Sequence, residues 1–139
     1  MDVHSKETRS YNMSHIRSKD TKPEAIVRKY LYHKGLRYKK NDRSLLGCPD
    51  LVLKKYNAVI FVNGCFWHKH EGCKYFTWPK SNVEFWKNKI EGTAERDKIV
   101  INELERQGWR VFVVWECELK QSVREVTLKT LFQSIVMNE

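Results

Sequence analysis

The chain is poor in residues that break structure. Three prolines and six glycines among 139 residues leave no flexible linker. No repeat or low-complexity tract interrupts it. No apolar run approaches the roughly 20 residues that span a bilayer. The opening Met1-Asp2-Val3-His4-Ser5-Lys6 lacks the apolar region of a signal peptide. A soluble, intracellular, cytoplasmic protein of one domain is therefore expected, with no membrane contact. Cysteine is scarce too: Cys48, Cys65, Cys73 and Cys117. In a reducing cytosol, beside histidines, such a set reads as metal ligands in preference to disulfides.

Charge is plentiful and lopsided. The chain carries a net +9. Residues 1–60 hold 14 Lys and Arg against 6 Asp and Glu; residues 61–139 hold 12 against 11. A basic N-terminal half points to a polyanion, and with the aromatics to nucleic acid.

The pattern predicts a mixed α/β fold. Residues 6–19 are polar and basic, a short helix that docks on a partner. Thr21 and Glu24 form a capping box for a helix ending at Gly35. Strands are expected over Leu36–Lys40, Asp50–Lys55 and Ala58–Asn63. A two-residue turn at Tyr56-Asn57 would set Asp50 opposite Asn63 and Leu51 opposite Val62. Ser81 and Glu84 form a second box, opening a helix to Gln107 with Phe85, Trp86, Ile90, Ala94, Ile101 and Leu104 on its apolar stripe. Trp109–Trp115 reads as the buried central strand. Ser122 and Glu125 open a last helix.

Two groups of residues carry chemistry. Cys65-Phe66-Trp67-His68-Lys69-His70-Glu71-Gly72-Cys73 packs thiols, imidazoles and two large aromatics into nine residues. With Cys117, just past the apolar strand, it supplies a Cys3His set for a structural zinc. Spacing alone admits His68 or His70 as the imidazole ligand. Cys48 stands outside as a free thiol. Phe66 and Trp67 have no obvious core partner and read as rings presented outward. In the second group, Cys48-Pro49 leads into Asp50 at the head of a strand. A carboxylate fixed there, beside a basic surface, suits Mg²⁺ held against a phosphate. Asn63 lies close by in the expected register, and Glu24 is a further acidic candidate.

Specific strings then recur in fixed order: Asp2-Val3-His4, Thr8-Arg9-Ser10, Asn12-Met13, Pro49-Asp50, Gly64-Cys65-Phe66-Trp67-His68, Glu84-Phe85-Trp86, Glu95-Arg96-Asp97, Gly108-Trp109-Arg110-Val111 and Trp115-Glu116-Cys117. From about residue 2 to residue 120 the chain resembles the very short patch repair endonucleases, which nick DNA beside a T:G mismatch. The resemblance implies a restriction-endonuclease-like fold: a mixed sheet flanked by helices, with a structural zinc loop. Residues 1–139 would be one endonuclease domain, residues 1–20 a DNA-contacting segment and residues 64–80 the zinc and wedge loop. Zinc would sit on Cys65, His70, Cys73 and Cys117. His68 would be the catalytic histidine and Asp50 the Mg²⁺ carboxylate, with position 62 a second metal contact. Glu24 and Asp97 match acidic positions of the site. Phe66, Trp67 and Trp86 match rings that wedge into the duplex, and Met13 a residue inserted from the other groove.

The expected partner is double-stranded DNA carrying a T:G mismatch, met by a monomer at the bacterial nucleoid, with mismatch-repair proteins as collaborators. The chain departs from the family pattern in places. Val62-Asn63 replaces Thr-His, Cys48 replaces a basic residue, and Gly72 reads as an insertion. Valine can reach a metal only through its carbonyl. Asn63 cannot titrate like histidine, though it can donate to a phosphate.

Overall fold

The computed structural model describes residues 22–74 and 76–137. Residues 6–19, Met13 and the Thr21 half of the first capping box lie outside them. The described elements are α1 (Lys22–His33), β1 (Lys39–Lys40), β2 (Leu51–Leu53), a 3₁₀ turn (Lys54–Tyr56), β3 (Ala58–Asn63), α2 (Val83–Arg106), β4 (Arg110–Trp115), a second 3₁₀ turn (Glu116–Leu119) and α3 (Arg124–Val136). No helix among them is long and apolar enough to cross a membrane.

The sheet runs β1-β2-β3-β4. β1–β2 and β2–β3 are antiparallel, and β3–β4 is parallel through the α2 crossover. Strand periodicity sorts the core into two layers. Leu51, Leu53, Ala58, Ile60 and Val114 pack with Val27 and Leu31 of α1 and with Leu128, Leu131 and Ile135 of α3. Val52 and Val59 face the other way, onto Leu104 of α2 with Val100, Phe61 and Val111 around them. The sheet is thus covered on both faces.

Several expectations change. The β2–β3 register pairs Leu51 with Ile60 and Leu53 with Ala58, two residues from the expected pairing. Lys54–Tyr56 coil into a 3₁₀ turn, which Asn57 closes in a left-handed conformation (φ 50°) by donating to the Lys54 carbonyl. The loop is therefore longer than two residues. The expected strand Leu36–Lys40 shrinks to Lys39–Lys40, because Leu36 is buried and bonded back to Leu31 at the end of α1. β4 is the edge strand among the described residues, and β3 takes the central place. Its apolar run reflects cover on both faces, with Val114 the one fully buried member.

The expected boxes at Ser81 and Ser122 do not form. α2 begins after Asn82 and α3 after Val123, neither with a side-chain cap. On α2, Phe85 points away from the core and is 60% exposed, whereas Ile90 and Leu104 are fully buried. Gly108, at φ 98°, ends α2 and lets Trp109 N–H bond back to the Leu104 carbonyl.

Candidate active site and metal centre

Everything chemical in this fold gathers where β3 and β4 end. The two strands are parallel, so both deliver their following loops to the same edge, with Asn63 paired to Trp115. Cys65 follows β3 by two residues and is fully buried. Cys117 follows β4 by two residues. The chain after Cys65 winds into a tight turn, in which His68 N–H donates to the Gly64 carbonyl and His70 N–H to the Cys65 carbonyl. That turn brings Cys65, His70, Cys73 and Cys117 together, with their donor atoms all within 4.8 Å of one another. Sγ of Cys117 lies 3.4 Å from Nδ1 of His70. His68 points elsewhere.

Three sulfurs and one nitrogen at this spacing fit a tetrahedral ion with bonds of about 2.0–2.3 Å. Electrostatics say the same. Burial, then the neighbouring Cys65 and Cys73 sulfurs, push the Cys117 thiol up to about 12. Burial also raises Cys65. Three such thiolates coexist only around a cation. Trp115 is a supporting residue that spacing did not reveal: its ring stacks on His70 at 4.0 Å and 4°. Its place two residues before Cys117 was the available signal.

The carboxylate group forms alongside. Asp50 stands at the head of β2, and its Oδ2 accepts a 2.6 Å hydrogen bond from the Val62 N–H. Glu24, buried on α1, is hydrogen-bonded to Asp50 and lies 3.9 Å from the Arg28 guanidinium. Burial chiefly, helped by the Glu24 charge and opposed by the Val62 bond, raises the Asp50 carboxyl to about 7. Buried Glu24 and half-buried Asp50, two carboxyls side by side, make a site where a divalent cation fits. Valine contributes its N–H to the carboxylate here, a contact outside the expected carbonyl role. Asn41 N–H holds the Asp50 carbonyl at 3.0 Å. The loop ahead of Asp50 packs tightly on α2: a Cβ at Gly47 would stand 2.5 Å from Cγ1 of Val100. Cys48, half-buried, is a free thiol outside the cluster.

His68 is close enough to Asp50 to oppose that rise. Its Nδ1 meets Oδ2 of Asp97, on α2, at 2.6 Å. The carboxylate can only accept, so Nδ1 carries the proton and Nε2 remains the basic nitrogen. His68, Asp97 and buried Asn63 line a cleft of about 580 Å³ that opens to solvent.

The expected wedge residues also meet. Phe66 and Trp67 pack edge to face at 5.3 Å, and Trp86 of α2 lies 5.7 Å from Phe66 and 5.8 Å from Trp67. None of the three belongs to the two buried cores, and each stays part-exposed. Their partners are one another, together with Phe85, edge-on to Trp86 at 5.2 Å, and Phe76, a ring the sequence pattern does not single out.

Carboxylates and a histidine gathered at one sheet edge can support hydrolysis, and comparison with known proteins makes the chain a DNA endonuclease. The family described as DNA mismatch endonuclease Vsr matches residues 1–74. The type II nicking enzyme V.NmeAIP of Neisseria meningitidis serogroup A is 50% identical over 119 residues, covering 86% of this chain and 84% of its own. The DNA mismatch endonuclease Vsr of Escherichia coli is 46% identical, covering 86% and 76%. The type II nicking enzyme V.XorIIP of Xanthomonas oryzae is 45% identical, covering 83% and 84%. The chain belongs to the Vsr family of DNA mismatch endonucleases, and its mixed sheet has that family's restriction-endonuclease-like form.

Proposed function

We propose that the protein is a Mg²⁺-dependent endonuclease that nicks one DNA strand beside the thymine of a T:G mismatch, with Zn²⁺ held for shape by Cys65, His70, Cys73 and Cys117. One observation carries the reading. Asp50 with Glu24, and His68 with Asp97, converge on the end of β3 from opposite sides of the chain.

In this reading Asp50 and Glu24 hold the magnesium ion, and the Val62 carbonyl is the one further donor that residue can offer. Bound there, Mg²⁺ supplies charge neutralisation and polarisation of a phosphoryl oxygen. Nε2 of His68 takes a proton from the attacking water as its oxygen bonds to phosphorus and the bond from phosphorus to one sugar oxygen breaks, that oxygen leaving with a proton from solvent. Asp97 keeps the ring in the required tautomer and balances the imidazolium that forms. Asn63 donates an N–H to the phosphate. Phe66, Trp67 and Trp86 form the wedge. Unstacking a base step costs a few kcal/mol, least at a mismatch, and stacking on the rings returns about 1–3 kcal/mol per base. The wedge therefore selects weak steps before any base is read. Met13 acts from the opposite groove. Residues 1–139 act as one domain and as a monomer on the bacterial chromosome, alongside mismatch-repair proteins.

The test incubates the protein with T:G and T:A duplexes and Mg²⁺, with zinc content measured on the same sample. Nicking of the T:G strand alone supports the reading. Folded, zinc-loaded protein that cuts neither duplex removes it. Selective binding without cutting in any divalent metal would leave a mismatch-binding protein.

A further inference from the structure

Lys69 sits between the proposed base His68 and the metal-cluster residue His70. Its backbone is left-handed, at φ 52°, a conformation that costs a non-glycine residue on the order of 1 kcal/mol. The metal loop holds it there: Lys69 N–H donates to the Phe66 carbonyl at 3.3 Å, and His70 N–H to the Cys65 carbonyl at 2.9 Å. This conformation aims the side chain. Lys69 lines the cleft shared by His68 and Asp97, and its Nζ lies 5.7 Å from the centre of the Trp78 ring.

Trp78 is 41% exposed. Phe76 supports it edge-on at 5.1 Å, and Phe76 in turn reaches Phe66 at 6.2 Å. The aromatic surface thus runs unbroken from the wedge to a lysine in the cleft. That cleft is also lined by Glu71, Glu91, Glu95 and Asp97, with Lys69 and Lys98 as its cations. A DNA phosphate entering it meets like charge unless a cation receives it. The Lys69 ammonium already faces an anion: Oε1 of Glu71 is 3.7 Å away, on a side chain that is 81% exposed. Lys69 is part-buried, at 25% exposed, and the exposed Glu71 is the loosely held end of the pair, so a phosphate can replace the glutamate.

We propose that Lys69 and Trp78 form a second DNA-contact site beside the cleavage centre, the ammonium taking a backbone phosphate that neighbours the scissile one and the indole face taking the adjoining nucleotide. This rests on the reading above that the cleft receives DNA. The chemistry is a cation and a ring side by side, matched to a phosphate and the sugar or base next to it.

The experiment measures binding of full-length protein to a T:G duplex across a series of KCl concentrations, with Ca²⁺ in place of Mg²⁺. Zinc content and melting temperature are checked for every variant. Lys69→Gln should weaken binding about tenfold and flatten the log–log salt slope by about 0.9, one phosphate contact. Lys69→Arg should keep the slope. Trp78→Ala should weaken binding at least fivefold with the slope unchanged. Glu71→Gln, an exposed change that leaves the loop intact, should strengthen binding severalfold. Lys129→Gln, on α3 away from cleft and rings, serves as the charge control and should leave the slope within error.

A zinc-loaded Lys69→Gln protein with wild-type slope and affinity overturns the proposal. So does an unchanged Glu71→Gln affinity, which does not depend on whether Lys69→Gln folds. Wild-type protein that binds no duplex at any salt removes the underlying reading and this one together. A steep wild-type slope that Lys69→Gln shares, with Glu71→Gln affinity unchanged, removes this one alone.

Discussion

His68 and Asp97 come from segments 29 residues apart and meet at 2.6 Å, Nδ1 to Oδ2. The contact joins the metal loop to α2 and settles which imidazole nitrogen is free. Asp97→Asn keeps the size of the side chain and removes its charge. Nicking should slow by about 10²–10³, the scale of general-base catalysis with a mis-set histidine. DNA affinity should stay within twofold. Single-turnover nicking beside equilibrium binding checks this, and equal losses in both would assign Asp97 a purely structural role.

Asp50 predicts an unusual pH dependence. Its carboxyl titrates near 3.8 when unfolded and near 7 in the fold. Between these values the native state binds the extra proton. Stability without Mg²⁺ therefore falls as pH rises from about 4 to about 7 and then levels. The loss is on the order of 2–4 kcal/mol. Asp50→Asn should melt higher than wild type at pH 8 in Mg²⁺-free buffer and have no nicking activity. Calorimetry at several pH values tests the first part; a variant that melts lower at pH 8 contradicts it.

The sulfur cluster predicts dependence on its ion. Cys117→Ser should purify with less than one-tenth of the wild-type zinc and lose at least ~3 kcal/mol of stability, a fraction of the about 10–16 kcal/mol that structural zinc contributes in small domains. Trp115 stacks on His70, so its fluorescence should shift when the metal leaves. Elemental analysis, melting curves and emission spectra measure the three effects.

Arg110 ties distant segments together. Its guanidinium donates to the carbonyls of Tyr56, Ile135 and Ser134, securing the 3₁₀ turn and the end of α3. Arg110→Met keeps an apolar stem against Phe112, over which the guanidinium now lies at 5.3 Å. It should cost about 2–3 kcal/mol and speed amide exchange in the last turn of α3. Nicking well below the melting temperature should persist.

Local signals were readable in the chain, and long-range geometry was less so. α1, β3, α2 and α3 appear close to where periodicity places them. A grouping of Cys65, Cys73 and Cys117 with one histidine follows from residue chemistry; the family resemblance selects His70 over His68, and the tight turn after Gly64 brings His70 to the three sulfurs. The β2–β3 register was misplaced because Tyr56-Asn57 looks like a two-residue turn, whereas Lys54–Tyr56 coil and use up two more positions. Capping boxes at Ser81 and Ser122 have the right letters, yet Asn82 and Val123 start the helices. β4 looked central because its run is apolar; α2 and the core explain that run without a strand on its outer side. Glu24 reads as a cap from its spacing and as an acidic site candidate beside Asp50, and the fold sets it against Asp50. Asp97 is reached through the Glu95-Arg96-Asp97 string of the family resemblance, whereas Trp115 and Lys69 take their significance from contacts that no local pattern encodes.

The four sulfur and nitrogen donors close the crossover like a padlock, with α2 inside the loop of chain that runs from Cys65 to Cys117. Three of the donors sit in the loop after β3, and Cys117 cannot reach them until β4 has aligned beside β3. Metal capture would therefore come late in maturation, and an ion held there would report that the crossover has docked. A cell starved of that ion would accumulate chains whose sheet is assembled but whose aromatic ridge is unmoored. Metal supply would then govern how much competent enzyme exists, independently of how much is synthesised.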